Sequence, residues 1–506
     1  MGGIAQIYNL KNYMPRPSRN APAENRRYKK QTSGDLKRML ENIRHRKSIK
    51  PISNENDSMR ILFSGWIHNA ANIRKMLRPK HRFLSDRDGE TVLHLYEEVG
   101  EECVKNLEGA FAFAVYNTDQ HLFIARDHLG IAPLYISESG EDVYIASEFK
   151  ALSEIVSDFQ EFPIGSYYQA GCNIKPEERF VRYHSFSEAV EADSCKKSGS
   201  STSDWEIETF GTAKYGIQTL LKKAVDKRID RHRPFGVYLS GGLDSSIIAA
   251  LTAQKWPGID SFAVGIEGSE DLLHARVCAD YLGTRHHEYV YSLKEMLEVL
   301  PTVIYHLESF DAALVRSSVP NYFLARMASE PHKIVFSGEG ADELFCGYRY
   351  MKSLSKEQRE LESYRLLNNL HCSGLQRGDR MAAAFGMEAR VPFLDLEFVK
   401  FALRIPDSMK YSPSGQEKWV LRKAFSHLLP PEIISRAKKK FSIGAGSFDL
   451  ISRVAEENIT DEEFMRNMVT TSGHRLKSKE EFYYYKIFHE FYPQRAAEET
   501  VGFSIS

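Results

Sequence analysis

Val237-Tyr-Leu-Ser-Gly-Gly-Leu-Asp-Ser-Ser246 decides how the second half of this chain folds. The apolar run Phe235-Gly-Val-Tyr-Leu239 reads as a short strand, and IIAALTAQKW beyond the motif reads as a helix. Between them, Gly241 and Gly242 permit a tight turn that aims backbone N–H groups at one point. Ser240, Ser245 and Ser246 add hydroxyl donors, and the helix N-terminus adds partial positive charge. These are the parts of a pyrophosphate cradle. Asp244, an acceptor-only group in the same loop, suits a magnesium ion held against the phosphates. The string is neither a Walker loop nor GxGxxG. It points to a nucleotide gripped by its pyrophosphate and cleaved at the α-phosphorus.

Around this motif strands alternate with helices. Residues 212–228 predict a helix with Tyr215, Ile217, Leu220, Leu221 and Val225 on one face. Strands are expected at 259–266, 287–291 and 333–336, and helices at 272–283, 294–306 and 322–329. Such alternation predicts a mostly parallel sheet covered on both faces, with ligands where strands end and helices begin. From about residue 350 the chain reads as helical. Its exceptions are the ARVPFLD turn at 389–395, the YSPSG turn at 411–415 and the RAKKKFSIGAG loop at 436–446.

The first half reads differently. Short apolar segments at 59–63, 110–116, 121–125 and 143–146 predict strands, with a hairpin turn over 117–120. This suggests a β-rich layered fold with a few helices. Residues 13–57 are basic and polar with few apolar anchors, and EADSCKKSGSSTSD at 191–204 reads as a linker. The expected division is 1–190, a linker over 191–210, and 211–506.

Bulk composition narrows the function classes. Of 506 residues, 42% are hydrophobic and 27% charged, so the chain is globular rather than disordered. Lys plus Arg total 67 and Asp plus Glu total 68, which favours neither nucleic acid nor an anionic membrane as partner. The 6 cysteines form no CxxC pair and predict reduced thiols in a cytoplasm. MGGIAQIYNLKNYMPRP has no signal-peptide core, Gln6 argues against myristoylation, and no apolar stretch is long enough to span a membrane.

Three further segments fit a nucleotide site. The strand Phe262–Ile266 is expected to line the adenine and ribose pocket, so Leu239, Val264 and Gly338 join the nucleotide-contacting set. Phe336-Ser-Gly-Glu-Gly-Ala-Asp-Glu343 brings carboxylates to a strand end: Asp342 for a second magnesium interaction, Glu339 to orient or deprotonate a nucleophile. Arg436-Ala-Lys-Lys-Lys440 offers cations for a triphosphate. Lys438 is assigned to charge developing on the α-phosphate, with Lys439 and Lys440 solvated or steering, although spacing alone barely separates the three.

Residues from about 211 to 490 resemble the synthetase domain of the glutamine-dependent asparagine synthetase family. The matching strings, in family order, include LSGGLDSS, FAVGIEGSEDLLHA, VIYHLESFDAALVRSSVPNYFLAR, FSGEGADELFCGY, RMAAAFGMEARVPFLD, KWVLRKAF and RAKKKFSIGAG. The resemblance implies an adenine-nucleotide α-hydrolase-like (PP-loop ATPase) α/β fold with a helical C-terminal part. It implies ATP and Mg2+, a carboxylate activated as an acyl-adenylate, and attack by ammonia. It places Lys438 at the family's catalytic lysine, Asp244 and Asp342 at its magnesium-associated acids, and Glu339 near the amine. Arg316 and Ser317, in VRSSVP, fall near the amino-acid substrate, with Arg316 assigned to its α-carboxylate.

The first half resembles the family's glutaminase domain, an α+β N-terminal nucleophile hydrolase-like sandwich. NLEGAFAFAV, FIARDHLGIAPLY and ASEFKA carry the match. The catalytic features depart from it. Working members begin Met-Cys-Gly-Ile, where the cysteine thiolate attacks the glutamine amide; here the string is Met1-Gly2-Gly3-Ile4, with no nucleophile. HRGPD survives only as His45-Arg-Lys-Ser, NGEIYNH has become Ser64-Gly-Trp-Ile-His-Asn-Ala70, and Asp88 stands as the retained acid of the amine pocket. Coordinated losses describe a pocket that no longer takes glutamine.

The resemblance therefore implies an ATP-dependent amide-forming ligase, acting on the aspartate side chain or another small carboxylate with ammonia or an amine. One alternative is an amide or lactam synthetase like β-lactam or carbapenam synthetase; retention of Glu339 and ESFDAALVRSSVP favours an intermolecular amine. Another is a non-catalytic scaffold, for which Ser240, Asp244, Glu339, Asp342 and Lys438 would be superfluous. Family analogy adds a homodimer and an external ammonia source as expected partners.

Overall fold

The computed structural model describes residues 1–9, 34–47, 49–117, 121–171, 174–186, 207, 209–230, 233–446 and 448–504. The expected hairpin tip at 118–120, the linker at 191–204, much of the basic stretch 13–57, Cys172 and Cys195 lie outside them.

A five-stranded sheet organises the second half. Its order is Arg285–Val290, Asp260–Gly265, Phe235–Tyr238, Ile334–Phe336, Glu388–Arg390, and every neighbouring pair is parallel. The three middle strands are buried along their whole length. That is why Phe235–Tyr238, Ile334–Phe336 and the last four residues of Asp260–Gly265 are apolar in succession rather than alternating. From Phe235–Tyr238 the chain winds outward to one side, then returns to pair on the other. The strand order thus reverses at Phe235–Tyr238 and opens a crevice past its C-terminal end.

Sequence and structure differ at four places here. The fifth strand, Glu388–Arg390, falls where a turn was expected, followed by a 3-10 turn over Pro392–Leu394. Three residues are too few to show a period. The helix expected at 322–329 starts ten residues earlier, as Ala312–Ser329, because Asp311 caps it by accepting from Leu314 N at 2.7 Å. In the helix Phe210–Arg228, Tyr215 is 61% exposed. The buried stripe runs through Ala213, Gly216, Ile217, Leu220, Leu221, Ala224 and Val225, and Gly216 leaves room for the ring of Phe401. Finally, the 436–446 loop contains a helical turn, Phe441–Gly444.

The first compact unit comprises 1–185, 471–474 and 489–501; the second comprises 186–470, 475–488 and 502–506. In the first, two antiparallel sheets form. One has the order Ala5–Asn9, Asp142–Ala146, Tyr135–Ser139, Gln160–Glu161. The other runs Phe180–Arg182, Ser166–Ala170, Leu122–Arg126, Gly109–Asn117, Met59–Ile67, Ile52–Ser53. The strand Gly109–Asn117 shows why. Ala112, Ala114 and Tyr116 pack in one cluster with Ile136, Val143 and Ile145 of the other sheet and with Ile4 just before it. Phe111, Phe113 and Val115 face Ile73, Leu77, Val92 and Leu93 of the helices Ala70–Leu77 and Asp88–Val99. AFAFAV is thus a period-two strand with both faces buried, small side chains towards the sheet and large ones towards the helices.

The segments that depart from the glutaminase pattern are packed for other purposes. A Cβ on Gly2 would lie 2.6 Å from Ile49 Cγ1 and 2.9 Å from the Lys47 carbonyl oxygen. Gly2 O accepts from Ser64 Oγ at 2.7 Å. His45, Arg46 and Lys150 surround the buried Glu148. Asp88 Oδ2 accepts from Ile67 N at 2.8 Å, tying its helix to the strand.

At the N-terminal end of the parallel sheet, Asp260 is buried and gathers Arg285, His287 at 2.7 Å and His332 at 2.8 Å. The Arg285 guanidinium, then the two imidazoles, hold its carboxyl well below the usual range. A depressed folded-state pKa stabilises above the unfolded carboxyl range, about pH 4, and the contribution fades as pH falls below it. Asp260→Asn is expected to cost about 2–3 kcal/mol at pH 7. In denaturation curves at several pH values, its deficit against wild type should shrink below about pH 4; a deficit constant from pH 7 to 3 would contradict the ionised network.

Candidate active site

The SGGLDSS loop leaves the central strand where the crevice opens. Leu239 N donates to Phe262 O at 2.9 Å, carrying the parallel ladder one step past the strand. Gly241 then adopts φ 65°, and a Cβ there would lie 2.4 Å from the His274 carbonyl carbon, so glycine is required twice over. Gly242 caps the helix Leu243–Lys255. The loop is self-bonded: Ser240 N donates to Ser245 Oγ at 3.2 Å, and Ser245 Oγ donates to Gly242 O at 3.2 Å. Ser246 lies beneath it, fully buried.

Leu239, Ser240, Gly242, Asp244, Ser245, Val264, Ser317, Gly338, Glu339, Asp342 and Lys438 line one cavity. Gly241, Ser246 and Arg316 are not among its lining residues. Gly241 and Ser246 shape the loop from behind. Arg316 Nε donates instead to Glu480 at 2.8 Å, and its guanidinium lies over the Phe448 ring. The reason is helical phase. Leu314, Ser317, Asn321 and Leu324, three or four residues apart, turn one face of Ala312–Ser329 to the cavity.

Two lysines organise the acids. Lys418 Nζ is 2.5 Å from Asp244 Oδ2 and 2.7 Å from Asp342 Oδ1, and Lys438 Nζ is 2.6 Å from Asp342 Oδ2. Lys418 is buried. Burial opposes the charge on Lys438, but Asp342 and Asp244 outweigh it and keep the ammonium protonated. Burial likewise opposes ionisation of Asp342, and Lys418 and Lys438 outweigh it, holding that carboxyl below the usual range. Gly347 makes the arrangement sterically feasible: a Cβ there would meet Asp342 Oδ1 at 2.0 Å and Lys418 Cε at 2.4 Å.

Sequence reading gave Lys418 no role. It stands in KWVLRKAF as the residue before a helix, with φ 57°, and that backbone conformation turns its side chain into the crevice. Glu417 links this turn to the basic loop, accepting from Arg422 Nη2 at 2.8 Å and from Lys438 N at 3.1 Å. Of the neighbouring cations, Arg436 bonds Ser240 O at 3.1 Å and Asp271 at 2.6 Å, while Lys439 pairs with the exposed Glu270.

On the other wall Glu339 pairs with Arg377, from the helix Gly374–Ala383. Gly374 leaves space for the Glu339 carboxylate, 2.9 Å from where a Cβ would stand. Glu343 accepts from Tyr348 Oη at 2.5 Å; burial, then the charge of Asp342, pushes its carboxyl up to about 7. Neither Arg377 nor Tyr348 carried a sequence signal of its own. Ser504 closes the cavity from the C-terminal side, its Oγ bonded to Asp311 at 2.8 Å.

The residues suit magnesium nucleotide. Asp244 Oδ1 is buried without a hydrogen-bond partner and faces the crevice beside Asp342, and carboxylate oxygens are the donors a hard divalent cation takes. Asp244 and Asp342 would hold magnesium, and the Ser240–Ser245 loop the phosphates.

Comparison with known proteins agrees with this architecture. The asparagine synthase family matches residues 216–373 and 355–503, and a glutamine amidotransferase domain matches 40–206. A glutamine-hydrolysing asparagine synthetase of Asparagus officinalis is 38% identical over 89% of this chain and 77% of its own length. A probable one of Schizosaccharomyces pombe is 36% identical over 89% and 84%, and one of Arabidopsis thaliana 36% over 89% and 78%.

Lys418→Met removes the ammonium between the two acids, leaving Asp244 without its cation and Asp342 with Lys438 alone. Breaking a buried ion pair in this way should cost about 3–5 kcal/mol. Thermal denaturation should show the loss, and added magnesium should recover part of it. A variant as stable as wild type, with or without magnesium, would exclude the bridging role.

Proposed function

The chain belongs to the asparagine synthase family, and on that premise we propose that it joins the aspartate side-chain carboxylate to ammonia without hydrolysing glutamine. It is an ATP-dependent amide-forming ligase of that family, with a PP-loop ATPase-like domain behind an N-terminal nucleophile hydrolase-like domain. The observation that carries the finer proposal is the chain of contacts Asp244–Lys418–Asp342–Lys438 in one cavity with the Glu339–Arg377 pair.

The chemistry runs as two displacements. A carboxylate oxygen attacks the α-phosphorus of ATP, and pyrophosphate leaves. Lys438, kept protonated by Asp342, stabilises the charge that develops there. Asp244 and Asp342 would hold magnesium, which would supply charge neutralisation for the leaving pyrophosphate. Ammonia then attacks the acyl carbon, AMP leaves, and Glu339 takes the proton shed by the nitrogen. Arg377 orients Glu339 for that step by its contact with the carboxylate. Ser317 and Asn321 sit on the wall where the amino acid would lie. Arg316, held by Glu480, serves as a support for that helix.

The loss of glutaminase activity is supported by packing. The place of a nucleophilic side chain at position 2 is taken by Ile49, and the space beside it by Lys47 O. A single substitution in an otherwise working pocket would leave a gap there instead. Ammonia therefore comes from solution or from another protein, and the site lies in a chain that works in the cytoplasm.

Pyrophosphate release from magnesium-ATP should require aspartate, and mass analysis should find asparagine with ammonium but not with glutamine. Asparagine formed from glutamine would refute the dead first domain. Lys438→Met should slow pyrophosphate release by about 10²–10³-fold. Glu339→Gln should leave pyrophosphate release largely intact while slowing amide formation about 10²-fold or more. If aspartate triggers no pyrophosphate release but another carboxylate does, the acyl donor is misassigned and the ligase chemistry stands.

A further inference from the structure

A cluster in the first unit has no part in amide formation. Helix Asp88–Val99 presents His94 and Glu97, three residues apart and so on one face. The loop after helix Ala70–Leu77 brings His81, and the turn before strand Met59–Ile67 brings Glu55. The two imidazoles stack with centroids 4.4 Å apart, and the His94 side chain is fully buried.

The donor atoms converge. Glu55 Oε1 lies 3.3 Å from His81 Nδ1, and Glu55 Oε2 lies 3.5 Å from His94 Nδ1. Glu97 Oε2 lies 2.7 Å from His94 Nδ1 and 3.8 Å from His81 Nδ1. One donor from each residue fits within a span of 4.8 Å. A tetrahedral ion with bonds of about 2.0–2.1 Å needs donors roughly 3.3 Å apart, and the separations bracket that value.

The surroundings match as well. The second nitrogen of each ring faces a further carboxylate: His81 Nε2 is 3.1 Å from Glu98 Oε1, and His94 Nε2 is 3.8 Å from Glu90 Oε1. His94 Nε2 is buried without a hydrogen-bond partner. The Glu98 carboxylate behind His81 leaves that ring's Nδ1 turned towards the cluster, the arrangement typical of metal-ligating histidine, and Glu90 stands behind His94 without a hydrogen bond to it. Glu97 is oriented in turn by Asn54 Nδ2, 2.6 Å from its other oxygen. Charge points the same way. Glu55, Glu90, Glu97 and Glu98 face two stacked imidazoles, and Lys80 pairs with Glu98 at the outer edge. A dication seated between the rings would offset that concentration of carboxylate charge.

We propose that Glu55, His81, His94 and Glu97 form a binding site for one divalent transition-metal ion, of which zinc fits the donor set best. Two imidazole nitrogens and two carboxylate oxygens in a four-donor cage suit zinc, and calcium or magnesium would take oxygen alone. The ion would tie three segments distant in sequence: the turn at 54–58, the loop at 78–87 and the helix Asp88–Val99. Its role is to brace the helix-covered face of the six-stranded sheet.

The test uses the full chain stripped with a chelator, dialysed, and titrated with Zn2+. Elemental analysis should find one tightly held zinc per chain, and zinc should raise the melting temperature. Replacing zinc by Co2+ should give the visible absorption of a tetrahedral site. His81→Gln should weaken zinc binding at least 10-fold, and Asp342→Asn should leave it unchanged. Glu55 is partly exposed, so Glu55→Gln serves as a second variant that preserves folding; it should weaken zinc binding and leave pyrophosphate release unaltered. No stoichiometric zinc in wild type, or equal zinc affinity in wild type, His81→Gln and Glu55→Gln, would overturn the proposal.

Discussion

Two carboxylates cannot be buried side by side without a compensating cation, and the synthetase unit is arranged around that constraint. Asp244 stands in the first turn of the helix after one strand and Asp342 in the helical turn after its neighbour, so the sheet itself brings them together. Lys418 and Lys438 supply the opposite charge from segments remote in sequence. The segments that carry these four residues are therefore tied to one another by ionic contacts in addition to their packing. Glu417 then joins the two lysine-bearing segments through backbone and side chain at once. The same lattice of charge that holds the apoprotein together is the one on which a triphosphate would act.

The two ends of the parallel sheet divide the labour. At the N-terminal end, Asp260 gathers Arg285, His287 and His332 around one carboxylate, an arrangement that serves stability. At the C-terminal end, the network is left unsaturated: Asp244 Oδ1 has no partner, and Glu343 is held near neutrality by burial. A fold can tolerate that imbalance at one end because the other end and the apolar middle strands stabilise it.

How much of this was legible in sequence follows from distance along the chain. LSGGLDSS and FSGEGADE each place strand, glycine and acid within a few residues, so loop and carboxylates could be read locally. The strand pattern of the first half was legible for the same reason, since AFAFAV alternates on its own. Lys418 was not legible, because what matters is a positive φ before a helix and a missing side chain at Gly347. Arg377 was hidden inside an ordinary amphipathic helix. Arg316 looked like a substrate ligand beside Ser317, but one residue is a turn of about 100° on a helix, and that rotation carries it to Glu480. The strand Glu388–Arg390 exists because Ile334–Phe336 offers an edge, which no local pattern announces.

The packing around Gly2 sets what any replacement there would meet. Ile49 and the Lys47 carbonyl occupy the volume that any side chain at position 2 would need. A cysteine introduced there by one substitution would press on both before it could present its sulfur to a ligand. The Lys47 obstacle is main chain, so no change of side chain at that position removes it; the segment itself would have to move.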